Sequence, residues 1–150
     1  MFVSVTRLRI RRWWFLPAFA IHAVRSRRQL KSSPGFVCGS LAPEPWFAFW
    51  TATVWTDEKS MKAFRNSGAH LKAMPRLSRL CDEASYVHWQ QDDETIPTSA
   101  AMFERLRDTG KLSKVLHPSV AHSTGQKTGT AEPRSVGSFR PSRVSSDDSI

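Results

Sequence analysis

The sequence predicts an α+β fold in which a four-stranded antiparallel sheet carries helices on one face. Three observations predict it. Residues Phe2–Ile10 alternate, with Phe2, Ser4, Thr6, Leu8 and Ile10 on one side and Val3, Val5, Arg7 and Arg9 on the other, which is the period of a strand. Residues after Pro17 switch to helical spacing, with Phe19, Ala20, Ala23, Val24 and Leu30 forming a stripe. Residues Trp46–Trp55 are apolar on both alternating sets, so this strand expects cover on both faces.

The remaining elements follow in order. Pro17 suits a helix's first turn, and Arg25, Arg27, Arg28 and Lys31 gather where the dipole's negative end favours cations. Ser32-Ser33-Pro34-Gly35 stops this helix. Phe36–Ala42 forms a second strand, and Pro43-Glu44-Pro45 turns the chain into the third. Thr56 is the expected N-cap of the next helix, with Asp57 and Glu58 at its positive end. Met61, Phe64, Gly68 and Leu71 form its stripe, and Pro75 is expected to bend or restart it before Arg76–Leu80. Ala84–Trp89 is a fourth strand, Gln90–Thr98 an acidic loop, and Ser99–Thr109 a short helix stopped by Gly110. The order β-α-β-β-α-β is the split βαβ, or ferredoxin-like, arrangement. One layer of helices covers one sheet face, so the other face is expected to pack on a second copy of the chain. Residues 1–117 form this domain. Residues 118–150, rich in Ser, Thr, Gly, Pro and Arg, are expected to be a disordered tail.

Composition narrows the function classes. The 150 residues suit one domain, and at 40% hydrophobic with six Trp they hold material for a core. Lys and Arg number 22 against 13 Asp and Glu. Residues 1–31 carry eight of the cations (Arg7, Arg9, Arg11, Arg12, Arg25, Arg27, Arg28 and Lys31) and no acid. Such a block attracts anionic polymers or membrane surfaces. With no basic-aromatic groove motif, nucleic acid is not the expected partner; the block reads first as a solvated strand edge and helix end, with weak peripheral association with a membrane as the alternative. Arg11-Arg12 followed by an apolar run to Val24 imitates a signal peptide. The run is far short of the ~20 residues of a membrane span, and a basic segment follows at once. Two cysteines, Cys38 and Cys81, make no disulfide framework and read as small buried hydrophobes, which suits a cytoplasmic protein. No phosphate loop, dinucleotide fingerprint, zinc spacing or serine elbow is present.

Three segments carry a resemblance. Ser33-Pro34-Gly35-Phe36, then Phe49-Trp50-Thr51-Ala52-Thr53-Val54-Trp55-Thr56-Asp57-Glu58, then Met61-Lys62-Ala63-Phe64-Arg65-Asn66-Ser67-Gly68-Ala69-His70 resemble the dimeric α/β-barrel superfamily of antibiotic-biosynthesis monooxygenases and haem-degrading enzymes. In look they are nearest its spheroidene monooxygenase-like branch and that branch's uncharacterised bacterial relatives. The resemblance covers about residues 2–90. It implies a homodimer and a pocket between sheet and helices holding a hydrophobic, polycyclic or haem-type ligand. It also implies members that use haem and members that use no cofactor.

The candidate site residues are His70, Asn66 and Arg65 for catalysis, and His70, Trp50 and Trp55 for a bound ligand or cofactor. His70 would be the metal ligand only if haem is bound, since neutral imidazole ligates iron. On an unbroken helix Asn66 and His70 point away from the Met61/Phe64/Leu71 stripe and into solvent, and a bend at Gly68 or Pro75 would re-aim His70. Arg65 could clamp a carboxylate. Trp50, Trp55 and Trp89 suit the wall of a flat apolar pocket, but large aromatics on central strands more usually fill a core or dimer interface. His88 reads as a half-buried strand histidine. Two functions stand open: a monooxygenase-like enzyme, and a non-catalytic dimer that binds a small ligand or a partner protein.

Overall fold

A computed structural model of the chain describes residues 1–134 and 136–142. Strands β1 (Phe2–Ile10), β2 (Phe36–Glu44), β3 (Ala48–Trp55) and β4 (Cys81–Gln90) form the antiparallel centre of the sheet. Helices α1 (Leu16–Lys31), α2 (Glu58–Arg65) and α3 (Gly68–Leu80) lie in the two crossovers, and α4 (Ser99–Thr109) follows β4. Two short edge strands, β5 (Lys111–Leu112) and β6 (Val136–Phe139), extend the order to β5-β4-β1-β3-β2-β6. The ferredoxin-like centre is therefore the expected one, widened from four strands to six.

Register fixes which side chains share a face. Val3 lies opposite Val54 and Trp89, Val5 opposite Ala52 and Val87, and Arg7 opposite Trp50 and Ser85. The other face carries Ser4, Thr53 and His88 in one row and Thr6, Thr51 and Tyr86 in the next. Helices α1, α2 and α3 cover this second face. Phe2, Leu30, Phe36, Trp55, Met61 and Phe139 form its core.

The first face is not bare, which corrects the expectation that helices sit on one side and a second copy on the other. Helix α4 lays Met102 and Leu106 on Val3, Val5, Trp50, Ala52, Val54 and Val87. Its N-cap, Thr98, accepts from the Ala101 N–H at 3.2 Å. An ionic cluster occupies the other end of that face. Arg7, 3% exposed, reaches Glu44 at 2.8 Å and Glu83 at 2.6 Å. Burial alone would lower the Arg7 pKa, yet the hydrogen bonds to both carboxylates hold it above its ordinary value. The Ser119 hydroxyl donates to Glu83 at 2.9 Å, and Ser85 donates to the Lys127 carbonyl at 2.6 Å.

These bonds also change the picture of the tail. Its composition predicts no packed structure, but Ser119 and the Lys127 carbonyl are held by Glu83 and Ser85, buried partners that composition does not reveal. Helix α5 (Val120–Ser123) is capped by Ser119, and β6 pairs with β2 to set Phe139 in the core. Residues 143–150 of that expected tail lie outside the described residues.

Local details shift as well. Asp57, not Thr56, caps α2, accepting from the Ser60 N–H at 2.7 Å. Trp46 and Phe47 do not begin β3. They form its preceding turn with φ of 67° and 62°, a conformation bulky residues rarely take. Pro75 sits inside α3 without ending it. The break comes earlier, at Asn66–Ser67. Among the described residues no helix is long and apolar enough to cross a membrane.

Candidate functional site

A cavity of about 470 Å³ lies between the sheet and helices α1, α2 and α3. Its floor is the face bearing Ser4, Thr6 and Leu8 of β1, Thr51, Thr53 and Trp55 of β3, and Ala84, Tyr86 and His88 of β4. Its roof carries Phe19, His22, Arg27 and Leu30 from α1, Met61, Phe64 and Arg65 from α2, and His70, Met74 and Leu77 from α3. The volume suits a small-molecule site, and apolar and aromatic groups with a few polar ones are its usual lining.

The break between α2 and α3 brings His70 into this cavity. Gly68 stands at φ +55°, where a side chain would be strained, and a Cβ there would press on the Gln29 side chain. Gln29 of α1 holds the break from the other side. Its Nε2 donates to the Phe64 carbonyl at 3.2 Å and the Ser67 carbonyl at 3.0 Å, while its Oε1 accepts from the His70 N–H at 2.8 Å. A continuous helix would have sent His70 to solvent. The reset at Asn66–Ser67 turns it inward, as the bend considered at Gly68 requires.

The tautomer of His70 follows from its partner. Nδ1 lies 3.1 Å from the Arg65 carbonyl, which can only accept, so Nδ1 carries the proton and Nε2 keeps its lone pair. The ring packs on Phe64 with centroids 4.7 Å apart. Burial, and then the Arg65 charge, depress the His70 pKa, although the bond to the Arg65 carbonyl opposes them. His88 is depressed too, by burial first and then by Arg65. It packs between Phe2 and Tyr86, at 5.3 and 5.2 Å. The cavity thus sets the His70 and His88 imidazoles, both depressed in pKa, near the Arg65 guanidinium, with His22, Arg27 and Lys114 elsewhere in its lining.

The other predicted site residues divide: Arg65 and Trp55 line this cavity, and Trp50 and Asn66 do not. Trp55 is fully buried and forms part of the cavity wall, its Nε1 donating to Thr53 Oγ1 at 2.9 Å. Trp50 belongs to the opposite face, where its Nε1 donates to Glu44 at 2.7 Å, and Trp89 packs with it under α4. Strand alternation separates them: Trp50 and Trp55 are five residues apart and point to opposite sides. Asn66 is exposed, its Oδ1 accepting from Arg65 Nε at 3.1 Å, and it lines no part of the cavity. Cys38 and Cys81 are buried, and burial pushes the Cys81 thiol up to about 12. Among the described residues no group of three or more His, Cys, Asp or Glu is placed to hold a metal ion. Sequence reasoning passed over Gln29, Tyr86 and His22. Nothing in their local spacing marks Gln29 as a partner of a residue forty-one positions away.

Solved structures with this arrangement are found. One is an antibiotic biosynthesis monooxygenase-type protein from Nitrosomonas europaea, 14% identical with a TM-score of 0.55 over 61% of this chain and 98% of that one. Another is SnoaB, a cofactor-independent oxygenase from Streptomyces nogalater, 21% identical with a TM-score of 0.52 over 65% of this chain and 97% of that one. A third is a conserved protein from Methanosarcina mazei, 15% identical with a TM-score of 0.55 over 61% and 92%. This chain has their fold. No protein-family model matches the sequence, and no curated protein matches it significantly. At these identities the shared fold is what the likeness shows, and the chemistry must be read from this chain's own cavity.

Proposed function

We propose that the cavity binds a flat, hydrophobic ligand and that the protein acts on it as a monooxygenase, with His70 as the base. The observation that carries this is the Nδ1–H to Arg65 carbonyl bond, which leaves a neutral, partly desolvated Nε2 beside an aromatic wall. Such a group can take a proton from an acidified methylene of a polycyclic ligand. The carbanion then gives its electrons to O2. One oxygen atom becomes the new carbonyl oxygen, and the other leaves as water with the two methylene hydrogens. Arg65 and His88 would face the developing negative charge. This scheme needs no cofactor, and SnoaB, which shares the fold, is a cofactor-independent oxygenase.

Haem is the group that the sequence resemblance offers as an alternative, and one feature fits it. A ligating histidine ordinarily donates its other N–H to a carbonyl or carboxylate, as His70 does. His70 would then hold the iron and Arg65 would pair with a propionate, the iron supplying oxygen activation. A homodimer is not needed to complete the site, because one chain supplies floor and roof.

Ligand binding without turnover is the second reading. It is favoured by the lining itself, which among the described residues includes no carboxylate to pair with the imidazoles as acid or base. An absorption spectrum of the purified chain, a haem titration and oxygen uptake with hydrophobic quinols separate the readings. Oxygen uptake that falls about a hundredfold or more in His70→Ala supports the base. A Soret band that His70→Ala abolishes supports haem ligation. Ligand binding with neither signal leaves the binding protein.

A further inference from the structure

The outer side of α1 is made of residues that the fold does not use. Pro17, Ile21, Val24 and Arg28 recur at helical spacing, so they share one stripe. Ile21 and Val24 remain 52% and 57% exposed, and Trp13 and Trp14 just upstream 65% and 54%. The stripe is bordered by Arg25 on one side and Arg27 on the other.

A groove of about 570 Å³ runs beside it between α1 and α3, with His22, Arg25, Lys72 and Arg76 in its lining. Among the described residues, none of those three cations lies within ion-pair distance of a carboxylate. Burial, then Arg76 and Arg25, depress the His22 pKa, so the cations act on a shared space. The molecule therefore presents an apolar ridge, two exposed indoles and a basic groove on adjoining surfaces.

We propose that this side docks on an anionic phospholipid bilayer, with Trp13, Trp14, Ile21 and Val24 entering the headgroup–acyl boundary and Arg25, Lys72 and Arg76 pairing with headgroup phosphates. The charge selects the surface, because residues 1–31 contain eight cations and no acid. The ridge selects a bilayer over a nucleic acid, since apolar side chains and indoles gain nothing against a phosphate backbone but are well placed at a lipid interface. Arginines can lay their stems along the ridge and keep their heads in the headgroup layer. Docking also bears on the cavity. His22 lines both the groove and the cavity, and Met74, 43% exposed, lines the cavity wall. A hydrophobic ligand dissolved in the bilayer would reach the cavity from this side.

The test is co-sedimentation of the full chain with vesicles of phosphatidylglycerol and phosphatidylcholine in equal amounts, and with phosphatidylcholine alone. Binding to the mixed vesicles is expected, with a blue shift of tryptophan emission and release as salt rises. Neutralising the groove with Arg25→Gln/Lys72→Gln/Arg76→Gln is expected to weaken partitioning on the order of a hundredfold. Ile21→Ser/Val24→Ser should weaken it while leaving the salt dependence in place. The salt series on the unaltered chain reads the electrostatic part even where a variant folds poorly. No binding to anionic vesicles at low salt overturns the proposal. So does binding unchanged in folded Ile21→Ser/Val24→Ser, or preferential capture of duplex DNA.

Discussion

The Gln29 carboxamide accepts the backbone N–H of His70 at 2.8 Å while its amide donates to the carbonyls of Phe64 and Ser67. One side chain of α1 thus satisfies groups on both sides of the α2–α3 break and sets the direction in which His70 enters the cavity. Gln29 is a positioning residue: it touches the frame of the site and not the ligand. Gln29→Leu removes these bonds, and the one to Ser67 Oγ, with little change of volume. We expect folding to survive, with a loss of about 1–3 kcal/mol for the unsatisfied groups. Turnover should fall further than ligand affinity. Gln29→Glu keeps the acceptor for the His70 N–H and should restore part of the turnover. Equal loss of turnover in Leu and Glu variants of matched stability would remove Gln29 from the site.

The depressed pKa values of His70 and His88 set a pH dependence. Each binds its proton less readily in the folded chain than in the unfolded one, where the value is near 6.5. Above that value both states are neutral and nothing is lost. As pH falls below it, the unfolded chain takes up protons first, so stability declines until pH has passed the folded values. Thermal melts at a series of pH values from neutral downward should show this decline. His70→Gln and His88→Gln should each flatten it. Turnover should fall on the same acid side, because protonated His70 has no lone pair at Nε2. A stability profile that stays level through this window in the unaltered chain would contradict the burial of both imidazoles.

Much of this arrangement is legible in the sequence, and what is not has a physical cause. Alternation in Phe2–Ile10 and the Gly110 stop after α4 are local signals, and both elements sit where those signals place them. The inward turn of His70 depends on Gln29, a contact between distant segments that no local period encodes. Trp50 reads the same as Trp55 in sequence, since both lie on a strand with two apolar sides. Only the register and the placement of α4 decide which one meets the cavity. The tail's polar groups look unstructured because their partners, Glu83 and Ser85, lie far earlier in the chain.

Arg7 is the residue on which the buried ionic cluster depends. Its guanidinium bridges Glu44 and Glu83, and all three side chains are less than a tenth exposed. Arg7→Met strands two buried carboxylates, which is expected to cost about 3–5 kcal/mol. Arg9 makes similar bonds to Asp82 at 2.7 Å, but its side chain is 31% exposed. Arg9→Met should cost about 1 kcal/mol or less. Urea denaturation of the two variants measures the difference, and equal losses would refute this ranking.

Gly129 tests whether the segment after α5 is held against the same cluster. A Cβ at this position would overlap the Glu44 carboxylate and approach Arg7 Nη2 at 3.2 Å. Gly129→Val should therefore expel the segment rather than deform the buried pair. Proteolysis after Lys127 is expected to accelerate, while the bond from Ser119 to Glu83 keeps α5 in place. Unchanged proteolysis would mean the segment does not rest on Glu44.

The covering of the first sheet face predicts how the chain associates. Val3, Val5, Trp50 and Val54 are each completely buried within one chain, with α4 as their roof. A chain ending at Gln91 lacks that roof and exposes a contiguous apolar sheet face, the kind of surface that soluble proteins do not leave open. Sedimentation equilibrium should find the shortened chain as a dimer or larger species. Leu106→Asp in the full chain should move it the same way, because the charge cannot be buried against Trp50 and Val54. In the unaltered chain this face should contribute nothing to association. A shortened chain that stays a soluble monomer would show that α4 is not what keeps the sheet from a second copy.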